Sequence, residues 1–490
     1  MNDSLLPAVA VAIPAIAAGL IVWSDRRPDL REACTLAAAV ALALTCASLV
    51  AGLRPEAPVE VTLAAMVPGV DLRLRVDAFG AVFAMLASAL WLVTSVYSIG
   101  YMRGMNERAQ TRYFASFAAA LSATIGIAFS ANLLTLYLFY EILTFATYPL
   151  VAHKETEAAL VASRKYLVYT LSAGVVLLAG MGVLYATTGT LEFTAGGIAG
   201  LAQAPAPTQY FIFGALIVGF GVKAALLPLH GWLPSAMVAP TPVSALLHAV
   251  AVVKSGVFGC VRTIGFIFGT TALRELGAAD WLAYLAGATV LFGSIVALSQ
   301  DNLKRRLAYS TISHLSYIVL GAAMLSAHAT TGAVLHLVNH ALLKITLFFC
   351  AGAIYATTGC DRVSQLAGIG RRMPLTMGAF GVAALGLAGL PPLNGFVSKW
   401  YLCLGGLESG HPGLAAVLIV SGILNIAYLF PVVYTAFFRS SDQFADYGEA
   451  NLAMVVPLLM TALASLLLGL WPDAGPGAWS LAHSIARSVQ

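Results

Sequence analysis

Residues 211–237 read FIFGALIVGFGVKAALLPLHGWLPSAM, and residues 374–402 read PLTMGAFGVAALGLAGLPPLNGFVSKWYL. Each is an apolar run long enough to span a bilayer as helix, which takes about 20 residues. Each also sets a lysine beside a proline and glycine interruption: Lys223 with Pro228, and Lys399 with Pro391 and Pro392. Proline removes a backbone donor and clashes with the preceding turn. Both helices should therefore break within the membrane, which is tolerated where protein or a water-filled cavity satisfies the freed groups.

Working outward through the apolar blocks gives fourteen spans, near 5–23, 33–53, 78–98, 113–130, 132–151, 166–187, 210–230, 241–266, 281–299, 307–326, 329–357, 374–403, 412–438 and 452–471. The breaks fall in spans 7 and 12. They are five spans apart, and an odd separation means that the two helices enter from opposite faces, so spans 4–8 and 9–13 read as inverted five-helix repeats. The expected organisation of 1–490 is one all-α polytopic transmembrane domain. Spans 1–3 occupy 1–111, the first repeat 112–266, the second 281–438, and span 14 with its tail 452–490. Segment 54–76 is too polar to span and alternates locally, as a strand or hairpin outside the membrane would.

Composition agrees. Of 490 residues, 60% are hydrophobic and only 10% charged, against about 25% charged in an average soluble domain, which excludes an ordinary globular enzyme. The net charge of +4 comes with no basic run longer than Lys304-Arg305-Arg306, so no nucleic-acid partner is expected. Cys34, Cys46, Cys260, Cys350, Cys360 and Cys403 form no CxxC pair and read as small buried hydrophobes. The first apolar block is longer than a signal h-region and follows Asp3 where a signal peptide would carry Lys or Arg, so it reads as a retained span.

Orientation follows from lysine and arginine in the connections. Connections after odd-numbered spans hold 16 of them, Arg31, Arg103, Arg112, Lys154, Lys165 and Lys304 included; the opposite face holds six, Arg54, Arg73, Arg75, Arg262, Arg274 and Arg487. The chain is accordingly expected as a multi-pass protein with the odd-span loops in the cytoplasm and both termini outside. The remaining four of the 26 basic residues, Lys223, Lys254, Lys344 and Lys399, lie within spans, and of 22 acids only Glu141 sits deep in one.

An ionised group at such a depth costs at least roughly 2.5–3.5 kcal/mol, so these five must be neutral, hydrated or paired. Lys223 is the expected partner of Glu141. Burial lowers a lysine pKa and a nearby carboxylate raises it, so opening and closing that pair would release and take up a proton. In span 11, His336, His340 and Lys344 follow i, i+4, i+8 and share a face, a pattern suited to carrying protons. Span 8 adds His248, about 120° around the helix from Lys254. His230, at the break of span 7, and His314 in span 10 are further possible relays. Asp77 reads as a helix cap. No neighbouring carboxylate or cysteine completes a zinc site around the span 11 histidines, so no metal is expected. The chain has no glycine-rich nucleotide loop and no cluster cysteines, so no cofactor is expected, and any redox chemistry would belong to partners.

The stretches LLPLHGWLPSAMVAPTPVSALLHAVAVVKSG (226–256), DNLKRRLAYSTISHLSYIVLG (301–321), HALLKITLFFCAG (340–352) and LAGLPPLNGFVSKWYL (387–402) resemble the antiporter-like subunits shared by respiratory complex I, Mrp-type cation/proton antiporters and membrane-bound hydrogenase complexes. The resemblance covers roughly residues 75–440. It implies fourteen helices with two inverted repeats, and a polypeptide that translocates protons, with or without Na+ or K+, beside other membrane subunits. By it, Glu141 resembles the span 5 carboxylate and Lys223 its partner. Lys254 resembles the linking lysine of span 8, His336, His340 and Lys344 the central connecting residues, and Lys399 the terminal lysine, where one complex I paralogue has glutamate. By the same resemblance, the long lateral helix and extra span of the largest paralogue are not expected after span 14. Segment 139–169, FYEILTFATYPLVAHKETEAALVASRKYLVY, resembles most the D-type subunits of Mrp antiporters and their hydrogenase-associated relatives. The expected function is therefore that of a D-type subunit of a monovalent cation:proton antiporter. The alternatives are a proton-pumping subunit of a quinone oxidoreductase or hydrogenase complex, the membrane half of an inorganic-carbon uptake system, or a non-conducting scaffold.

Overall fold

A computed structural model describes residues 5–54, 58–67, 69–474 and 477–490; Asp3 and part of segment 54–76 fall outside them. The helices longer than eight residues are, in chain order, α1 (Leu6–Trp23), α2 (Pro28–Ala51), α3 (Ala78–Gly104), α4 (Gln110–Ala128), α5 (Leu133–Val151), α6 (Glu157–Thr188), α7 (Ala206–Lys223), α8 (Thr241–Ala249) and α9 (Val252–Arg262). They continue as α10 (Ala278–Ser299), α11 (Leu303–Ala323), α12 (Ala327–Thr358), α13 (Pro374–Ala388), α14 (Asn394–Glu408), α15 (Pro412–Phe438), α16 (Leu452–Leu470) and α17 (Ala478–Ser488). Between α2 and α3, strands β1 (Glu60–Val67) and β2 (Val70–Arg75) form the antiparallel hairpin expected there. Arg75 ties it to the helix ends by donating to the carbonyls of Ala131 (3.2 Å) and Phe193 (2.6 Å).

The chain is a multi-pass membrane protein: ten helical stretches among the described residues are long and apolar enough to cross a bilayer. The count of fourteen additionally takes in α4, α7, α11 and the broken pair α13/α14, which are too short or too polar to qualify by that measure. Burial grades inward. Only 28% of the apolar window of α1 is covered by protein, against 94% for α12 and all of Thr241–Phe268, so α12 and the α8–α9 segment form the interior.

The two repeats share one spacing. Asn132 and Asn302, 170 residues apart, each cap a helix by accepting the N–H three residues on, from Thr135 (2.8 Å) and Arg305 (3.1 Å). At the same offset, α6 and α12 both run 32 residues, from Thr156 and Ser326 caps to left-handed Gly189 and Gly359, and the isolated bridge Asn132–Glu192 recurs as Asn302–Arg362.

Two expectations need correction. Span 8 is not one helix: α8 ends at Ala249, α9 begins at Val252, and a wide π turn, Thr263–Phe268, follows. The angle between His248 and Lys254 that a continuous helix would give therefore does not hold. Arg262, counted above as a topological arginine, is fully buried and donates to both carboxylate oxygens of Asp77 (2.6 and 2.8 Å). Four phenylalanine rings, of Phe79, Phe193, Phe258 and Phe266, surround its guanidinium at 4.4–5.4 Å. Asp77 does cap α3, accepting from Gly80 N–H at 2.8 Å. The tail also forms a helix that hydropathy did not reveal: α17 lies against α12 and α3, and Trp479 donates to the Tyr401 hydroxyl at 2.8 Å.

Candidate ion path

Lys223 is the last residue of α7, where the break exposes the helix's C-terminal carbonyls and a cation is favoured. Its amine is fully buried, donates to the Tyr140 carbonyl at 2.6 Å and sits 3.4 Å from the centroid of the Tyr140 ring. Beyond the break, Trp232 donates to the Val222 carbonyl at 2.7 Å, satisfying one of the freed groups. The second break repeats this chemistry with different connectivity. Lys399 lies on α14, past Pro391 and Pro392, but reaches back to the end of α13, donating to Leu387 (2.6 Å) and Ala388 (3.0 Å). Both lysines therefore sit at the negative end of a half-helix.

Glu141 follows Tyr140 on α5, yet among the described residues it makes no ion pair with Lys223. Its Oε1 is buried without a hydrogen-bond partner. The two expected partners lie close enough to interact electrostatically but without direct contact, and Tyr140, an uncharged residue, takes the lysine's hydrogen bond.

Lys254 on α9 lies 2.9 Å from His340 Nδ1 on α12, a buried contact that joins the two repeats. From there the histidines cluster. His314 Nδ1 is 3.1 Å from His336 Nε2, and His336 Nδ1 is 3.0 Å from Ser398 Oγ, one residue before Lys399. His314, a secondary candidate by sequence, thus bridges α11 and α12 at the centre of the cluster. Lys344 points the other way, donating to Ser310 Oγ (2.6 Å). Ser310 contacts the Tyr428 hydroxyl (2.7 Å), Tyr428 donates to Asn425 (2.7 Å), and the Asn425 amide meets His314 Nε2 (3.1 Å) and the Leu387 carbonyl (3.0 Å). Lys344, His314, His336 and Lys399 therefore belong to one buried polar network. Its uncharged members, Ser310, Ser398, Asn425 and Tyr428, carry no signal that a search for buried charge detects.

The other candidates are less connected. His248 is fully buried against the Phe348 ring (4.8 Å), and neither ring nitrogen has a partner among the described residues. His230 is half-buried at the break of span 7, edge-on to Phe292 at 5.0 Å.

A polytopic bundle with two broken helices and a buried line of lysines and histidines defines the class: membrane proteins built around an ion path. The particular family follows from comparison: residues 130–425 match the NADH:quinone oxidoreductase/Mrp antiporter transmembrane family, and the chain belongs to it. It is 36% identical over 488 residues to the N subunit of NADH-quinone oxidoreductase from Desulforudis audaxviator, covering 96% of both chains. It is also 32% identical over 463 residues to the A/B component of a probable K(+)/H(+) antiporter of Rhizobium meliloti, covering 91% of this chain and spanning only 46% of that protein. Among solved structures, the fold is shared with a chain of the Mrp complex from Dietzia (TM-score 0.85, 23% identity, covering 100% of this chain and 98% of that one). A chain of the archaeal membrane-bound sulfane sulfur reductase also shares it (TM-score 0.87, 23% identity, 99% of both).

Proposed function

We propose that this chain is a proton-translocating, antiporter-like subunit that works beside other membrane subunits in a prokaryotic inner membrane, with the odd-span loops in the cytoplasm and both termini outside. The observation that supports the reading most is the Lys254–His340 contact at 2.9 Å, because a link between the repeats is what one path through two half-channels requires. The first half, within 112–266, holds Glu141 and Lys223, with His230 and His248 as accessory relays. The second, within 281–438, holds His314, His336, His340, Lys344 and Lys399. Glu141 acts electrostatically, setting whether Lys223 keeps its proton.

For the driving force, end-to-end likeness to the N subunit of a quinone oxidoreductase supports coupling to a redox partner. The likeness to the A/B component of a probable K(+)/H(+) antiporter favours a second reading, a subunit of a Na+ or K+:proton antiporter, and the resemblance of segment 139–169 makes it the D-type subunit. The test is proton movement by the intact complex in sealed vesicles. Glu141→Ala and Lys223→Ala should each abolish it while assembly persists; full translocation by either assembled variant refutes the reading. Driving the vesicles by electron donor or by a Na+ or K+ gradient separates the two couplings.

A further inference from the structure

The Glu141 carboxyl lies against the middle of α6, at Gly174. A Cβ built on Gly174 would stand 2.5 Å from Glu141 Oε1, 3.0 Å from its Cδ and 3.3 Å from Oε2, and these are its three nearest atoms. The carboxyl group occupies the volume that any side chain at 174 would need. Nearby packing glycines differ: at Gly180 the nearest atom is the Ala215 Cβ (2.8 Å), and at Gly219 it is the Leu177 Cβ (2.7 Å), which are ordinary apolar helix contacts. Glycine inside a helix is unfavourable relative to alanine, so its presence opposite the Glu141 carboxylate calls for a reason.

The second repeat supplies a comparison. At the 170-residue offset, Lys344 stands where Gly174 stands, and Ser310 and Thr311 where Tyr140 and Glu141 stand. Lys344 reaches Ser310, the counterpart of Tyr140, at 2.6 Å, so the two helices appose at the same level in that unit too. The side chain is missing only in the unit that carries the carboxylate.

We infer that Gly174 is a positioning residue: its bare backbone forms a notch on α6 that parks the Glu141 carboxyl apart from Lys223, so that the pair opens and closes by rotation of one side chain. Each member then has its own host in the open state, Tyr140 for the amine and Gly174 for the carboxyl. The inference rests on the proposed roles of Glu141 and Lys223.

The atoms that a new Cβ meets are the far end of a flexible side chain, so Gly174→Ala should leave the helices in place and displace only the carboxyl. In the assembled complex, Gly174→Ala should slow translocation on the order of a hundredfold, the effect of misplacing a functional group by about 1 Å. Glu141→Asp withdraws the carboxyl from the wall by about one C–C bond, ~1.5 Å, and should partly relieve the Gly174→Ala defect; a glycine needed only for packing predicts that the two losses multiply. Wild-type rates in assembled Gly174→Ala, or a double variant no better than Gly174→Ala, overturn the inference. If Gly174→Ala assembles poorly, recovery of assembly in the double variant is the supporting result and continued failure the opposing one. Should Glu141→Ala and Lys223→Ala themselves translocate normally, the proton-path reading falls; should they be inactive while Gly174→Ala is silent, only the notch falls.

Discussion

Arg262 shows why a charge count alone misassigns individual residues. Removing one member of a buried ion pair strands the other, at about 3–5 kcal/mol, but the two ends here differ in exposure: the Arg262 side chain is 0% exposed and that of Asp77 25%. Asp77→Ala should therefore cost about 3 kcal/mol or more, and Arg262→Met clearly less, because a lone Asp77 reaches water and a lone Arg262 cannot. Thermal unfolding in detergent orders the two; equal losses would contradict the asymmetry. His153, outside the spans in the α5–α6 connection, gives a pH prediction. Burial first, then the charges of Arg112 and Lys154, push its pKa from 6.5 down to about 4. Glu107 (3.8 Å) and the Tyr113 ring also face it. The unfolded chain takes up this proton near 6.5 and the folded chain refuses it until about 4, so stability should fall as pH drops through that window. His153→Gln should flatten that arm of the stability curve. Glu141 and the four lysines were legible in the sequence because a charge in lipid is costly enough to need a reason. The Asp77–Arg262 tie was not, since its members stand 185 residues apart and arginine near a span end is the ordinary sign of topology.

At the scale of elements, the two breaks are held by backbone contacts at glycine. A Cβ at Gly256 would strike the end of α7, at Ala224 N, Lys223 C (2.6 Å) and the Phe220 carbonyl (2.8 Å); one at Gly395 would strike the Gly386 carbonyl on α13. Backbone cannot step aside as a side-chain tip can. Gly256→Ala and Gly395→Ala should thus each lose about 1–3 kcal/mol, whereas Gly214→Ala and Gly378→Ala, in helices with open space at Cβ, should be neutral or gain up to about 1 kcal/mol. Melting midpoints of the four variants decide it. The same contacts explain what hydropathy could and could not find. Bilayer thickness fixes apolar length, so helix positions were readable to within several residues, and proline marked the breaks in spans 7 and 12. The interruption between α8 and α9 falls at Val250–Ala251, with no proline to announce it. Nor did composition announce Ser310, Ser398, Asn425 and Tyr428, because uncharged polar side chains are cheap in a helix and acquire meaning only through the neighbours that folding brings to them.

Across the whole molecule, the arrangement of the buried groups makes a prediction about series and parallel paths. Two independent half-channels would each carry part of the flux, and damage to one would leave the other working. A single path through the Lys254–His340 contact instead stops wherever it is cut. Lys254→Ala and His340→Ala should each lower translocation by about 10²-fold or more, the contribution of a proton-transferring group, and the double variant should be no slower than either single one, since residues acting as one unit are not additive. Parallel paths give the opposite pattern: each single variant keeps the flux of the intact path, and the double variant loses both. Position along the path adds a second discriminator. Lys344 reaches the network through Ser310, Tyr428 and Asn425, whereas His340 joins the repeats directly. Asn425→Ala should therefore disturb His314, which Asn425 contacts at 3.1 Å, and slow translocation without any change in formal charge. A vesicle assay of Lys254→Ala, His340→Ala, their double variant and Asn425→Ala, normalised to assembled complex, reads all of these outcomes together. Small single losses with near-complete loss in the double variant would show that the two repeats conduct separately, and an Asn425→Ala complex at wild-type rate would show that the central network is only a structural tie.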